Sequence, residues 1–180
     1  MFWEQGWDYV SVESVAKAAG VSKGTVFNAF DSKLGLVEAL VDRTADLFST
    51  VVFDDDDTAD AETRLNLLGC SLLPLLISKE VIALEATLPP LANRYPALLE
   101  KLGREGIAKT NRRLSQHLAK IFRAGRLDIQ ADRETVESLV CLWQGSLPDS
   151  LRMGLQDMPD STEIARRVRK GTAIFLRGMT

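Results

Sequence analysis

The stretch Ser11-Val12-Glu13-Ser14-Val15-Ala16-Lys17-Ala18-Ala19-Gly20-Val21-Ser22-Lys23-Gly24-Thr25-Val26-Phe27-Asn28-Ala29-Phe30-Asp31-Ser32-Lys33 decides the reading of this chain. It divides into two short helical patterns, about 12–19 and 23–30, that meet at a tight turn. Ala16 falls where the second helix crosses the first, a place that demands a small side chain. Four residues on, Gly20 occupies the turn, where a positive φ is easy only without a Cβ. Val21 is expected to plug the inside of the turn. Val12, Val15 and Ala19 should complete the buried stripe of the first helix, with Val26 and Phe30 forming that of the second. The offsets of Val12, Ala16, Gly20 and Val26 are those of a helix-turn-helix, which lays its second helix in the major groove of DNA.

The exposed positions of the second helix then acquire a chemistry. Ser22 reads as its N-cap, and a helix N-terminus offers free N–H groups and a positive dipole end to a phosphate. Lys23 adds charge, Gly24 lets the backbone approach closely, and Thr25 adds a hydroxyl. Asn28 points outward and can read a base edge, with adenine its best partner. Lys33, at the start of the next helix, and Ser11, at the cap of the first, can hold flanking phosphates. Singly, each is an ordinary surface residue. Their convergence on one helix start points to double-stranded DNA.

Charge qualifies that reading. The chain carries a net −3. In residues 1–50, Lys17, Lys23, Lys33 and Arg43 face Glu4, Asp8, Glu13, Asp31, Glu38, Asp42 and Asp46. DNA binding must therefore rest on a local patch rather than on the overall field. The 180 residues, 46% hydrophobic and 26% charged, suit one large or two small globular domains with a real core. No stretch approaches the roughly 18 unbroken apolar residues of a membrane helix. Met1-Phe2-Trp3-Glu4 lacks the basic and apolar regions of a secretory signal, so a cytoplasmic protein is expected. Cys70 and Cys141 lie in apolar runs without metal-ligand spacing and read as reduced core residues. One histidine, no nucleophile motif, no glycine-rich phosphate loop and no metal spacing argue against an enzyme, a cofactor or a metal site.

Outward from the motif, the pattern is helical almost throughout, and an all-α fold is predicted. A short helix fits at about 2–5. A longer one starts after an N-cap at Ser32 and runs to about Val51. The aspartates Asp54 to Asp57 read as a solvated loop. A leucine-rich helix is predicted at about 61–77, kinked or ended by Pro74, then a short one at 79–88 closed by Pro89-Pro90. Further helices are expected at about 97–124, stopped by Gly125, at 132–154, and at 161–178.

At this point a resemblance becomes specific. The run from Gly6 to Lys33, above all Val21-Ser22-Lys23-Gly24-Thr25 followed by Phe30 and Ser32-Lys33, resembles the DNA-binding segment of the TetR family of bacterial regulators. The strong motif covers about residues 6–40; the rest resembles the family in helix layout. Phe27 stands where the family commonly has Tyr, which removes a phosphate-contacting hydroxyl, and Asn28 stands where His is common. The family normally has two or three more turns before the counterpart of Phe2, often preceded by a basic arm. The expectation is that the start was assigned late or that the chain is truncated, and that a head lacking those turns is less stable and binds DNA more weakly.

The resemblance implies a helix-turn-helix DNA-binding domain at 1–46 and a helical effector-binding and dimerisation domain at 47–180. It implies a transcriptional regulator, by family habit a repressor, bound to a palindromic operator as a homodimer and released by a small-molecule effector. Pocket candidates are the polar groups set in apolar periodicity, Glu85, Asn111, His117 and Trp143, with Leu72, Leu88 and Leu114 nearby. For the dimer, Ile164, Val168, Gly171, Thr172, Phe175 and Met179 form one stripe, and Val136, Leu139, Val140, Trp143 and Leu147 another. The basic run Arg166, Arg167, Arg169 and Lys170 reads as a solvated helix face. The alternative reading is a dimeric small-molecule-binding protein with weak or lost DNA binding, favoured by the acidic head.

Overall fold

In a computed structural model, residues 9–49, 59–101 and 108–179 are described. Among them the chain is helical, with no strand. The order is α1 (Val12–Ala19), α2 (Lys23–Phe30), α3 (Lys33–Ser49), α4 (Ala61–Leu76), α5 (Lys79–Ala92), α6 (Pro96–Lys101), α7 (Ala108–Ala124), α8 (Arg133–Gln144), α9 (Leu147–Arg152) and α10 (Ser161–Gly178). The expected helix at 2–5 and the aspartate run at 54–57 lie outside the described residues, as does the 102–107 stretch of the helix predicted over 97–124.

Two compact units divide the chain: Met1–Asp46 with Lys79–Ile107, and Leu47–Ser78 with Ala108–Thr180. In the first unit, Val37 and Val41 of α3 join Leu84 and Leu91 of α5 and Leu98 of α6 in one apolar cluster. This cluster explains why α5 runs on to Ala92 instead of stopping at Pro89-Pro90. The two prolines remove two backbone donors. Leu91, one heptad beyond Leu84 on the same face, is nonetheless fully buried, which offsets that loss. Thr87 and Thr44 are buried too, and each donates its hydroxyl to the carbonyl four residues back, Ala83 and Leu40.

The second unit has the larger core. Leu65, Leu68, Leu72 and Leu73 of α4 meet Leu114, Leu118, Ile121 and Phe122 of α7, Val136, Leu139 and Trp143 of α8, and Ile164, Val168 and Phe175 of α10. The Phe122 and Phe175 rings stack at 6.1 Å between centroids. Pro74 does not end α4, which continues to Leu76 with Pro74 on its exposed side. The helix expected over 132–154 is broken. Gly145 caps α8 with φ 50°, its N–H bonded to the Cys141 carbonyl at 2.8 Å, and Pro148 begins α9 anew. Arg113 of α7 donates to the Phe48 carbonyl at the end of α3, at 3.3 Å. Both cysteines are free thiols. Cys70 is half-buried, but Cys141 is exposed, contrary to the expectation of two core cysteines. It lies on the side of α8 away from Leu139 and Trp143.

Candidate nucleic-acid interface

The helix-turn-helix is built by local capping. Ser11 opens α1 with a capping box: its hydroxyl accepts the Ser14 N–H at 3.0 Å, and Ser14 Oγ accepts the Ser11 N–H at 2.9 Å. Val10, just before the cap, is buried where a hydrophobic staple sits. At the other end Gly20 adopts φ 68°, and the amides of Gly20 and Val21 return to the carbonyls of Lys17 and Ala16 at 3.2 and 3.0 Å. This is the paired closure of a Schellman turn, and it needs the left-handed residue that glycine supplies. The turn aims the chain directly into α2.

Ser22 caps α2. Its Oγ accepts the Thr25 N–H at 3.0 Å and lies 2.8 Å from Thr25 Oγ1, so the two hydroxyls share one proton and leave another to donate outward. The first-turn amides of Lys23 and Gly24 have no partner within a helix, by helix geometry. Above Gly24 the space is open: a Cβ there would meet only Ser22 Oγ, at 3.6 Å. Ser11, Ser22, Lys23, Gly24, Thr25, Phe27 and Asn28 are all exposed, while Lys33 is half-buried. Ser32 caps α3 by accepting the Gly35 N–H at 3.0 Å. Of the residues expected to face DNA, Ser22, Lys23, Gly24 and Thr25 thus lie together at the start of α2, with Asn28 one turn beyond Thr25 on the same helix, while Ser11 opens α1 and Lys33 opens α3.

The buried stripes are narrower than expected. Ala16 and Val26 are buried, Val12 and Val15 are half-buried, and Ala19 is exposed. Two helices of eight residues each can enclose only their crossing point. Val21 is exposed because the residue it would pack on in a Schellman turn is Ala16, whose single methyl covers little. Phe30, the last residue of α2, is partly exposed as well.

Two residues of this region escaped the sequence reading. Gly35 was legible only as a glycine in the first turn of a helix, a costly choice without a packing reason. A Cβ at Gly35 would overlap the Phe30 carbonyl, so it fixes how α2 passes into α3. Glu13, in the first turn of α1, places its Oε2 3.7 Å from Lys23 Nζ.

The expected effector residues do not gather in one unit. Leu72, Leu114 and Trp143 belong to the core of the second unit, with His117 also buried and Asn111 half-buried. Glu85, exposed, and Leu88, half-buried, belong to the first. The expected dimer stripes need a larger correction. Val136, Leu139, Trp143, Leu147, Ile164, Val168, Thr172 and Phe175 are all buried inside this one chain, which leaves them no surface for a second copy. Only Val140, half-buried, and Met179, exposed, keep accessible area. A helical stripe of apolar residues shows that a face is buried, but not against what.

Residues 1–40 match the bacterial regulatory proteins of the tetR family. Residues 63–178 match the C-terminal domain of AefR-like transcriptional repressors. The chain belongs to the TetR family. Membership makes it a transcriptional regulator with a helix-turn-helix DNA-binding domain, and not an enzyme. Among solved structures, this TetR-family chain is similar to the flavonoid-responsive regulator FrrA, at 27% identity and TM-score 0.68 over 98% of this chain and 90% of that one. It is also similar to a TetR transcriptional regulator from Agrobacterium tumefaciens (24%, TM-score 0.67, covering 97% and 86%). A transcriptional regulator from Rhodococcus sp. Rha1 (20%, TM-score 0.60, covering 98% and 90%) shares the fold. No curated protein matches the chain. Among the described residues, no single helix is long and apolar enough to cross a membrane.

Proposed function

We propose that this chain is a cytoplasmic, small-molecule-responsive repressor that binds a palindromic operator as a homodimer. The observation that carries the DNA contact is the open, capped start of α2, where Lys23, Gly24, Ser22 and Thr25 converge beneath unobstructed space. There the first-turn amides and the Lys23 ammonium hold a backbone phosphate, and Ser11 and Lys33 hold flanking ones. Asn28 reads a base edge in the major groove. In the proposed domain roles, residues 1–46 bind DNA and 47–180 bind effector and dimerise. Dimerisation uses the outer faces of α8 and α10, where Leu142 and Ile174 remain 37% and 48% exposed. A dimer places its two α2 helices about 34–36 Å apart, one DNA turn, and an effector that favours another spacing releases the operator. The similarity to the flavonoid-responsive regulator FrrA supports response to a small molecule.

The test is a mobility shift against the DNA flanking the chain's own gene, at low and moderate salt, with Lys23→Ala as control. A specific complex lost in the variant is expected. Absence of any shift at low salt overturns the repressor and leaves the alternative, a ligand-binding dimer without DNA binding. Sedimentation of Leu142→Glu tests the dimer face, with a shift to monomer expected.

A further inference from the structure

The ion pair between Glu13 and Lys23 joins α1 to α2 at the very place proposed for phosphate. We infer that Glu13 is an internal competitor for that place: its carboxylate holds Lys23 in the free protein, and a DNA phosphate must displace it. The inference rests on the DNA-binding reading above and adds a residue that sets affinity.

Three observations support it. The pair is 3.7 Å long, and the Lys23 and Glu13 side chains are 56% and 76% exposed, so it opens at little cost and can be exchanged for another anion. Glu13 is also the acidic residue in the first turn of α1, whereas α2 has none. An anion in that position is favoured by the positive end of α1. One carboxylate therefore satisfies, in the free chain, both the lysine of α2 and the helix end that Ser11 caps. Finally, carboxylate and phosphate carry like charges, so both cannot share Lys23. DNA binding must swap one for the other.

The competition acts through phosphate and not through a base. It therefore weakens all duplexes alike and leaves discrimination to the base contacts. A carboxylate in this region has one other use, accepting a hydrogen bond from cytosine N4, and that use would make Glu13 favour one sequence instead.

The experiment measures Kd of the full chain and of Glu13→Gln for the operator and for an unrelated duplex, across a salt series. Glu13→Gln keeps the shape and removes the charge. It should bind both duplexes about fivefold tighter, with a salt dependence steeper by up to about one ion. In a Lys23→Ala background the gain should shrink to about twofold or less, because the exchanged partner is gone. Thermal melts should show all variants folded. Unchanged or weaker binding by Glu13→Gln, a gain that survives undiminished without Lys23, or a loss confined to one base pair overturns the inference. If the full chain binds specifically and loses that with Lys23→Ala while Glu13→Gln changes nothing, the inference alone falls. If neither protein shifts any duplex at low salt, the DNA-binding reading falls and takes the inference with it.

Discussion

Gly35 lies directly under the carbonyl of Phe30, close enough that a single added carbon would overlap it. The end of α2 therefore rests on the first turn of α3, and the pose of the DNA-facing helix depends on a missing side chain. Because the obstacle is backbone, no rotamer change can relieve it. Gly35→Ala should destabilise the protein by about 1–3 kcal/mol through overpacking, despite alanine's better helix propensity. A lower thermal midpoint, together with weaker operator binding, is the expected result. Chemical denaturation reads the first and a mobility shift the second.

The opposite behaviour is expected at Gly24. A Cβ there meets nothing closer than Ser22 Oγ at 3.6 Å, so the free protein accommodates it and gains helix propensity. The new methyl would nevertheless stand where a phosphate approaches the first-turn amides. Gly24→Ala should melt at or above the temperature of the parent chain and bind the operator about tenfold more weakly, the loss of one charge-assisted contact. Stability and affinity move in opposite directions, which separates this glycine from Gly35.

The contrast between these glycines shows what was legible beforehand. Gly20, Ser22 and Ser11 announce themselves because turn and cap chemistry is local: the residue type and its neighbours three or four positions away carry the whole signal. The helix-turn-helix and most helix bounds follow from it. Gly35 needs the position of a carbonyl in the preceding helix, and Glu13 needs the angle at which α1 meets α2. The stripes of Val136, Leu139, Ile164 and Val168 declared burial correctly, yet their partners are α4, α7 and each other, a choice between self and second copy that periodicity does not encode. Pro89-Pro90 misled for the same reason, since the burial of Leu91 is a tertiary fact.

Trp143 offers a direct test of that self-packing. Its indole N–H donates to Thr172 Oγ1 at 3.0 Å, and the two residues are 1% and 0% exposed. The ring fits only because Gly69 and Gly171 lack side chains: a Cβ on Gly69 would stand 2.6 Å from Val168 Cγ1 and 2.9 Å from Trp143 Cε2, and one on Gly171 would stand 2.8 Å from Trp143 Cδ1. Trp143→Phe should cost about 2–4 kcal/mol, by lost volume and a buried hydroxyl deprived of its donor. Gly69→Ala should cost about 1–3 kcal/mol alone and less in the Trp143→Phe background, where the smaller ring gives room. A double-mutant cycle by chemical denaturation measures the difference. Simple additivity would mean that Val168, and not Trp143, sets the room at Gly69.

Acid stability follows from two other caps. Asp132 accepts the Thr135 N–H at 2.9 Å at the start of α8, and Asp60 accepts the Thr63 N–H at 2.8 Å at the start of α4. These backbone hydrogen bonds, helped at Asp60 by the Thr63 hydroxyl, hold both carboxyls below their ordinary range. In the unfolded chain the same groups take up protons at a higher pH. Their stabilisation is therefore complete above the unfolded value, about pH 4, and is lost as pH falls through the lower folded values. Glu163, held down chiefly by its hydrogen bond from Arg166, adds to the same limb. Asparagine caps a helix nearly as well but does not titrate. The Asp60→Asn, Asp132→Asn double variant should thus match the parent chain near pH 7 and lose less stability between pH 5 and pH 3. Denaturation midpoints measured across that window give the slope, and an unchanged slope would show that other carboxylates carry the acid limb.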